Sequence, residues 1–190
     1  MIRKIEGFGK HVAIAGFKNL MIGDVEGFLK AVRERVEAKD TCVQFFDAGL
    51  VAGWEHLFFA ALNALRAFES GRNISNSLAM EALLFASAQR QIRRALELLG
   101  IKPESASVAV LAVAEKRRMA TETLEVVSEL VHGERDDGVI ELTDEKFEAI
   151  KRLFGISDLE LQAQLKRSGL EKEALTELVI EHGALIATQR

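Results

Sequence analysis

Residues 108–114 read VAVLAVA, an unbroken apolar run rich in valine. Its length and its β-branched content mark a buried strand. A strand of that kind needs neighbours to pair with and helices to cover it, so the flanking segments decide the fold class. Residues 11–17 (HVAIAGF) alternate over a short range, and residues 42–46 (CVQFF) are β-branched and aromatic. Both read as strands, and residues 139–142 (VIEL) are a short fourth candidate.

Between these runs the apolar spacing is helical. Asp24 precedes Val25, Phe28, Leu29, Val32 and Val36, and the pattern ends in the polar residues 37–40 (EAKD). A second helix begins at Gly53 or just before it, carries Leu57, Phe58, Ala61, Leu62, Leu65 and Phe68, and stops at Ser70-Gly71. The next starts within residues 73–77 and runs to Leu99-Gly100, where a glycine past the last turn satisfies terminal carbonyls. Two apolar helices with a short polar link make a helical hairpin. Lys116-Arg117-Arg118 lead into a helix bearing Leu124, Val127, Leu130 and Val131. From Thr143 the pattern is helical. Thr143-Asp144-Glu145 reads as an N-cap with an acidic first turn, and Ser157 with Glu160 as a reciprocal capping box. Gly169 breaks the chain before a last helix over residues 170–187. The fold expected is α+β: a small, largely antiparallel sheet of about four strands with six or more helices, including a central helical hairpin.

The chain has 190 residues, 48% of them hydrophobic. That length favours one domain over residues 1–190, with residues 143–190 a C-terminal helical segment packed on it. A single proline and the absence of low-complexity tracts argue against disorder. The one cysteine, Cys42, excludes an internal disulfide and suits a reducing compartment. No run of 18 apolar residues is present, and the N-terminus lacks the apolar stretch of a signal peptide, so a soluble cytoplasmic protein is expected. The net charge is −4, divided as +3 over residues 1–103 and −7 over residues 104–190. A polyanion should therefore prefer the first half.

Catalytic motifs are scarce. There is no GxxxxGK[ST], no GxGxxG after a strand, no HExxH and no CxxC. Gly7-Phe8-Gly9 lacks the third glycine of a phosphate loop. His11, His56, His132 and His182 are scattered. Glu55 beside His56 and Glu181 beside His182 point about 100° apart on a helix, so neither is a working pair. Cys42 reads as a buried, inert thiol, and Asp136-Asp137 as part of a solvated turn, HGERDDG. Lys116-Arg117-Arg118 oppose the dipole at a helix start and serve either as a solvated cluster or as a phosphate patch.

Residues 71–100 pose the sharper question. Arg72-Asn73-Ile74-Ser75-Asn76-Ser77 holds four candidate N-caps where one helix needs one. The surplus amides and hydroxyls, with Arg72 and free backbone N–H groups, suit an anion or a base edge. Further along, Arg90 and Arg94 stand at i, i+4, and Arg93 at the same spacing from Glu97.

The block Asn73-Ile74-Ser75-Asn76-Ser77-Leu78, with Glu81, Leu83-Leu84 and Ala88-Gln89-Arg90-Gln91-Ile92, resembles a family signature. So does Val43-Gln44-Phe45-Phe46-Asp47-Ala48 followed by Ala52-Gly53, Glu55-His56-Leu57 and Ala60-Ala61. The resemblance is to the small kinase-binding subunit of the KEOPS complex, the PRPK-binding protein family (TPRKB in animals), in its archaeal form. It covers residues 40–115 well and the flanks loosely. It implies a non-enzymatic subunit without a cofactor. Such a subunit binds the complex's small kinase/ATPase and recruits tRNA by its single-stranded 3′ CCA end. The Kae-type synthase subunit, an indirect partner, installs threonylcarbamoyladenosine. On this likeness Arg72, Asn73, Ser75, Asn76, Arg90, Arg93 and Arg94 are candidates for RNA binding, bases being read by hydrogen bonds and phosphates met by cations. Asn73, Ser75, Gln89 and Arg90 have an alternative role in locking the helical hairpin. For the kinase, the last helix offers Leu175, Leu178, Val179, Leu185 and Ile186, a stripe that would otherwise close the core. Two other readings stay open: a structural or oligomerising helical protein without RNA binding, and a small enzyme working through Cys42 or a histidine.

Overall fold

The computed structural model describes residues 1–20, 22–36 and 41–188. The polar helix end expected at residues 37–40 lies outside them. The chain divides into two compact units, Met1–Gly49 with Gly100–Ile140, and Leu50–Leu99 with Glu141–Arg190.

The first unit holds the sheet. Strands β1 (Ile2–Ile5), β2 (Lys10–Lys18), β3 (Cys42–Asp47), β4 (Ser107–Ala114) and β5 (Glu134–Arg135) are all antiparallel, ordered β1-β2-β4-β3 with β5 on β2. The apolar run is the interior strand β4, paired with β2 from His11↔Ala114 to Lys18↔Ser107 and with β3 on its other side. One face carries Ala13, Ala15, Phe17, Phe45, Val108, Val110 and Ala112. These pack in one cluster with Val32 and Val36 of α1 (Val25–Val36) and Ala120, Leu124 and Val127 of α5 (Arg117–Leu130). Phe28 of α1 meets Phe45 edge-on, ring centroids 5.1 Å apart. Asp24 accepts the Gly27 N–H at 2.9 Å and fixes the start of α1.

Two strands, β1 and β5, lack an apolar pattern of their own. Gly7 and Gly9, at φ 90° and 62°, turn the β1–β2 hairpin. The charged segment HGERDDG is not merely a solvated turn. Its Glu134–Arg135 pairs with Phe17 and Lys18, and the Asp137 carboxylate accepts the Gly16 N–H at 3.0 Å. Gly16 has no room for a Cβ, which would fall 2.6 Å from Val139 Cγ2. Residues 139–142 are not a strand either, because Asp137–Ile140 winds into a 3-10 turn.

The second unit is helical: α2 (Trp54–Glu69), α3 (Leu78–Ser87), α4 (Ile92–Leu99), α6 (Asp144–Leu153), α7 (Asp158–Gln164) and α8 (Glu171–Leu185). Helix α2 packs on α3 and α8, and α8 also meets α6 and α7. Ala52, Ile150, Ile156, Leu175, Leu178 and Val179 form its buried centre. Ser157 and Glu160 make both bonds of the expected capping box. Thr143 is the N-cap of α6, but its hydroxyl makes no capping bond. With eight helices and five antiparallel strands among the described residues, the fold is α+β.

The single helix expected from residues 73–77 to Leu99 is in fact two. Helix α3 ends at Ser87, and Ala88 takes the left-handed conformation at φ 52°. An L-residue there costs about 1–2 kcal/mol. The break follows from tertiary contacts at the end of α3. His56, fully buried on α2, accepts the Ala52 N–H on Nδ1 at 3.2 Å. Its Nε2 therefore carries the proton and donates to the Ala86 carbonyl at 2.7 Å. In a continuous helix that carbonyl would accept from residue 90. Gly183 of α8 presses on the Phe85 carbonyl so closely that a Cβ would collide with it.

Candidate functional site

The loop before α3 is organised from inside. Glu81 lies fully buried in the otherwise apolar first turns of α3. Its Oε2 accepts the Ser75 N–H at 2.7 Å and the Ile74 N–H at 3.0 Å, and its Oε1 accepts the Ile74 N–H at 3.1 Å. The amide of Asn73 donates to the Ser75 carbonyl at 3.1 Å, and the Ser75 hydroxyl accepts the Ser77 N–H at 3.2 Å. Ser77 is the N-cap, accepting from Met80. The surplus of cap-like residues therefore has a local use: Asn73 and Ser75 hold the loop's shape. Ser75 is buried, so its hydroxyl does not face solvent. Asn76 and Arg72 point outward, and among the described residues neither side chain has a hydrogen bond or ion pair.

Beside this loop lies a cleft of about 460 Å³. Arg72 from the loop, Arg90 from the α3–α4 link and Arg66 from α2 line it, over a floor that includes Glu81, Phe85 and Ile186. Arg90 is held there by its Nη1, which donates to the Ile186 carbonyl at 2.8 Å. Arg66 was not singled out from the sequence. The available signal was polar spacing on α2: Asn63, Arg66 and Glu69 recur every three residues on a helix whose other faces are apolar.

The remaining candidates lie elsewhere. Arg90 precedes α4, so it and Arg94 do not share a helix face as the unbroken helix implied. Arg93 and Arg94 are exposed on α4 and do not line the cleft. Arg93 pairs with Glu97 at 2.9 Å, a fully solvated contact. Of the stripe on α8, Leu175, Leu178, Val179 and Ile186 are buried, and only Leu185 is open, at 46% exposure. Each buried aliphatic side chain contributes about 1.5–3 kcal/mol to folding, so this stripe closes the core of its unit.

The groups weighed for catalysis are dispersed. Cys42 is partly buried on β3, and burial pushes its thiol up to about 12. Burial holds His56 neutral, with its pKa down to about 4 despite the Ala86 carbonyl. His11 touches the Glu115 carbonyl, and His182 approaches Glu160 at 3.8 Å rather than its neighbour Glu181. Among the described residues no three His, Cys, Asp or Glu side chains are grouped to hold a metal, and no helix is long and apolar enough to cross a membrane.

Comparison with known proteins bears on this arrangement. The family model described as kinase binding protein CGI-121 matches residues 23–186. The chain is also 33% identical, over 135 residues, to a protein of Methanocaldococcus jannaschii described as regulatory protein Cgi121. That match covers 71% of this chain and 83% of the relative.

Proposed function

The chain belongs to the CGI-121 family of kinase-binding proteins, and from that premise we propose that it is the non-catalytic adaptor of the KEOPS tRNA-modification complex. It holds the complex's small kinase/ATPase and recruits tRNA in the cytoplasm through the single-stranded 3′ CCA end. The threonylcarbamoyl chemistry belongs to the Kae-type synthase subunit, which this chain serves indirectly by delivering substrate. Family membership supports the kinase half of the reading. On α8, Leu185 is the residue of the apolar stripe open to that partner.

One arrangement carries the RNA half: Arg66, Arg72 and Arg90 converge on a single cleft beside the loop pinned by Glu81. Planar guanidinium groups bind phosphate oxygens in bidentate fashion and stack on bases, which suits a single strand. Asn76, outward on the same loop, adds an amide able to meet a base edge. The overall charge of −4 does not oppose a local site, and the arginine contacts to phosphate make binding sensitive to salt. With Arg72 and Arg90 meeting the phosphates of a single strand, log K should fall with log salt at a slope of about −1.4.

The test is fluorescence anisotropy of labelled tRNA with the whole chain at low salt. Removing the CCA end, or making Arg72→Glu or Arg90→Glu in a folded variant, is expected to weaken binding at least about tenfold. Equal affinity for tRNA with and without CCA would reject recruitment through that end.

A further inference from the structure

The α2 wall of the cleft contains an acid that a phosphate site does not need. Asn63, Arg66 and Glu69 fall at i, i+3 and i+6, on one helix face, and all three line the cleft. Among the described residues none of the three side chains makes a hydrogen bond or an ion pair. Arg66 and Glu69, at i, i+3, do not pair with each other, so both charged ends stay open to the cleft. An unpaired carboxylate among three arginines weakens the cleft's pull on phosphate. What it adds is an acceptor for hydroxyl or amine donors.

We propose that this wall reads the terminal ribose of the RNA. The Glu69 carboxylate accepts hydrogen bonds from the adjacent 2′ and 3′ hydroxyls, and Asn63 and Arg66 flank the sugar. The site thereby selects an RNA whose 3′ end is free and rejects one whose terminal hydroxyl is esterified. This rests on the RNA-recruiting function proposed above. Two features favour a chain end over an internal stretch. The cleft, at about 460 Å³, is near the small end of small-molecule pockets, a size that seats one terminal nucleotide. Only a terminal ribose offers two neighbouring hydroxyl donors to one carboxylate, since an internal ribose keeps its 2′ hydroxyl alone. Carboxylates are used in this way on ribose hydroxyls in dinucleotide-binding folds.

The experiment compares one labelled tRNA with its natural 3′ end and the same tRNA with a 2′,3′-dideoxy terminus, which removes both donors without changing charge. Wild type is expected to bind the natural end at least about tenfold more tightly, the lower bound for hydrogen bonds to a charged group. Glu69→Ala, at an exposed position on the last turn of α2, is expected to bring that ratio to about one. It should also raise affinity for the dideoxy tRNA, because negative charge leaves the cleft. A merely structural role for Glu69 would not produce that rise. If wild type binds both tRNAs equally, or if the ratio persists in Glu69→Ala, the ribose assignment is overturned while RNA recruitment stands. If wild type binds neither at low salt, both fall.

Discussion

Glu81→Ala is expected to lower the unfolding free energy by about 2–4 kcal/mol and to abolish RNA binding. The carboxylate is the shared acceptor for the Ile74 and Ser75 N–H groups and is itself fully buried. Alanine leaves those donors without a partner and opens a cavity under the loop. Glu81→Gln is expected to cost less: with its amide oxygen at the Oε2 place it still accepts from both N–H groups, and only the second contact from Ile74 is replaced by a facing NH2. In Glu81→Ala, Arg72 has no fixed position, although α2 and α8 remain packed. Urea unfolding followed by circular dichroism, with tRNA anisotropy on the same samples, checks both effects. An unchanged midpoint for Glu81→Ala would show that the loop does not depend on this acceptor.

Acid is expected to destabilise the protein before most carboxylates protonate. His56 is neutral and buried in the folded chain, its pKa lowered to about 4, against about 6.5 when unfolded. The unfolded state therefore binds a proton that the folded state refuses. Stability is fully present above about pH 6.5 and is lost as pH falls, at about 1.4 kcal/mol per pH unit, until His56 protonates in the folded state. The total is about 3 kcal/mol. Glu160, held low by the Ser157 hydroxyl and backbone, adds its loss only at lower pH. Denaturant unfolding at several pH values between 7 and 4 measures the slope. His56→Gln should be less stable at pH 7, having lost the fitted bonds to Ala52 and Ala86, and nearly flat across that window. A wild-type profile as flat as the variant's would show that His56 is not the group responsible.

What was readable in the sequence was whatever local chemistry decides. Strand β4 declared itself by length and valine content, α1 by Asp24, the end of α2 by Ser70-Gly71, and α7 by Ser157 with Glu160. Features set by distant residues were not readable. The left-handed Ala88 carries no glycine to announce it, and its cause sits on α2 at His56 and on α8 at Gly183. With the helix broken there, the shared face of Arg90 and Arg94 disappeared. Glu81 reads as a helix-first-turn acid, and only the folded loop shows that Ile74 and Ser75 donate to it. Strand β5 has two exposed residues and no apolar pattern to detect. The stripe on α8 had two physical uses, docking or core. Periodicity cannot choose between them, because both require the same spacing.

The central claim is that one chain joins a kinase to a tRNA, and the direct measurement is co-sedimentation of the three components. The kinase alone with labelled tRNA should leave the RNA near its own sedimentation rate. Adding this chain should move kinase and tRNA together into one faster species, and removing the CCA end should release the RNA while kinase and adaptor stay together. Competition between tRNA and kinase for the chain, with no species containing all three, would contradict the adaptor function.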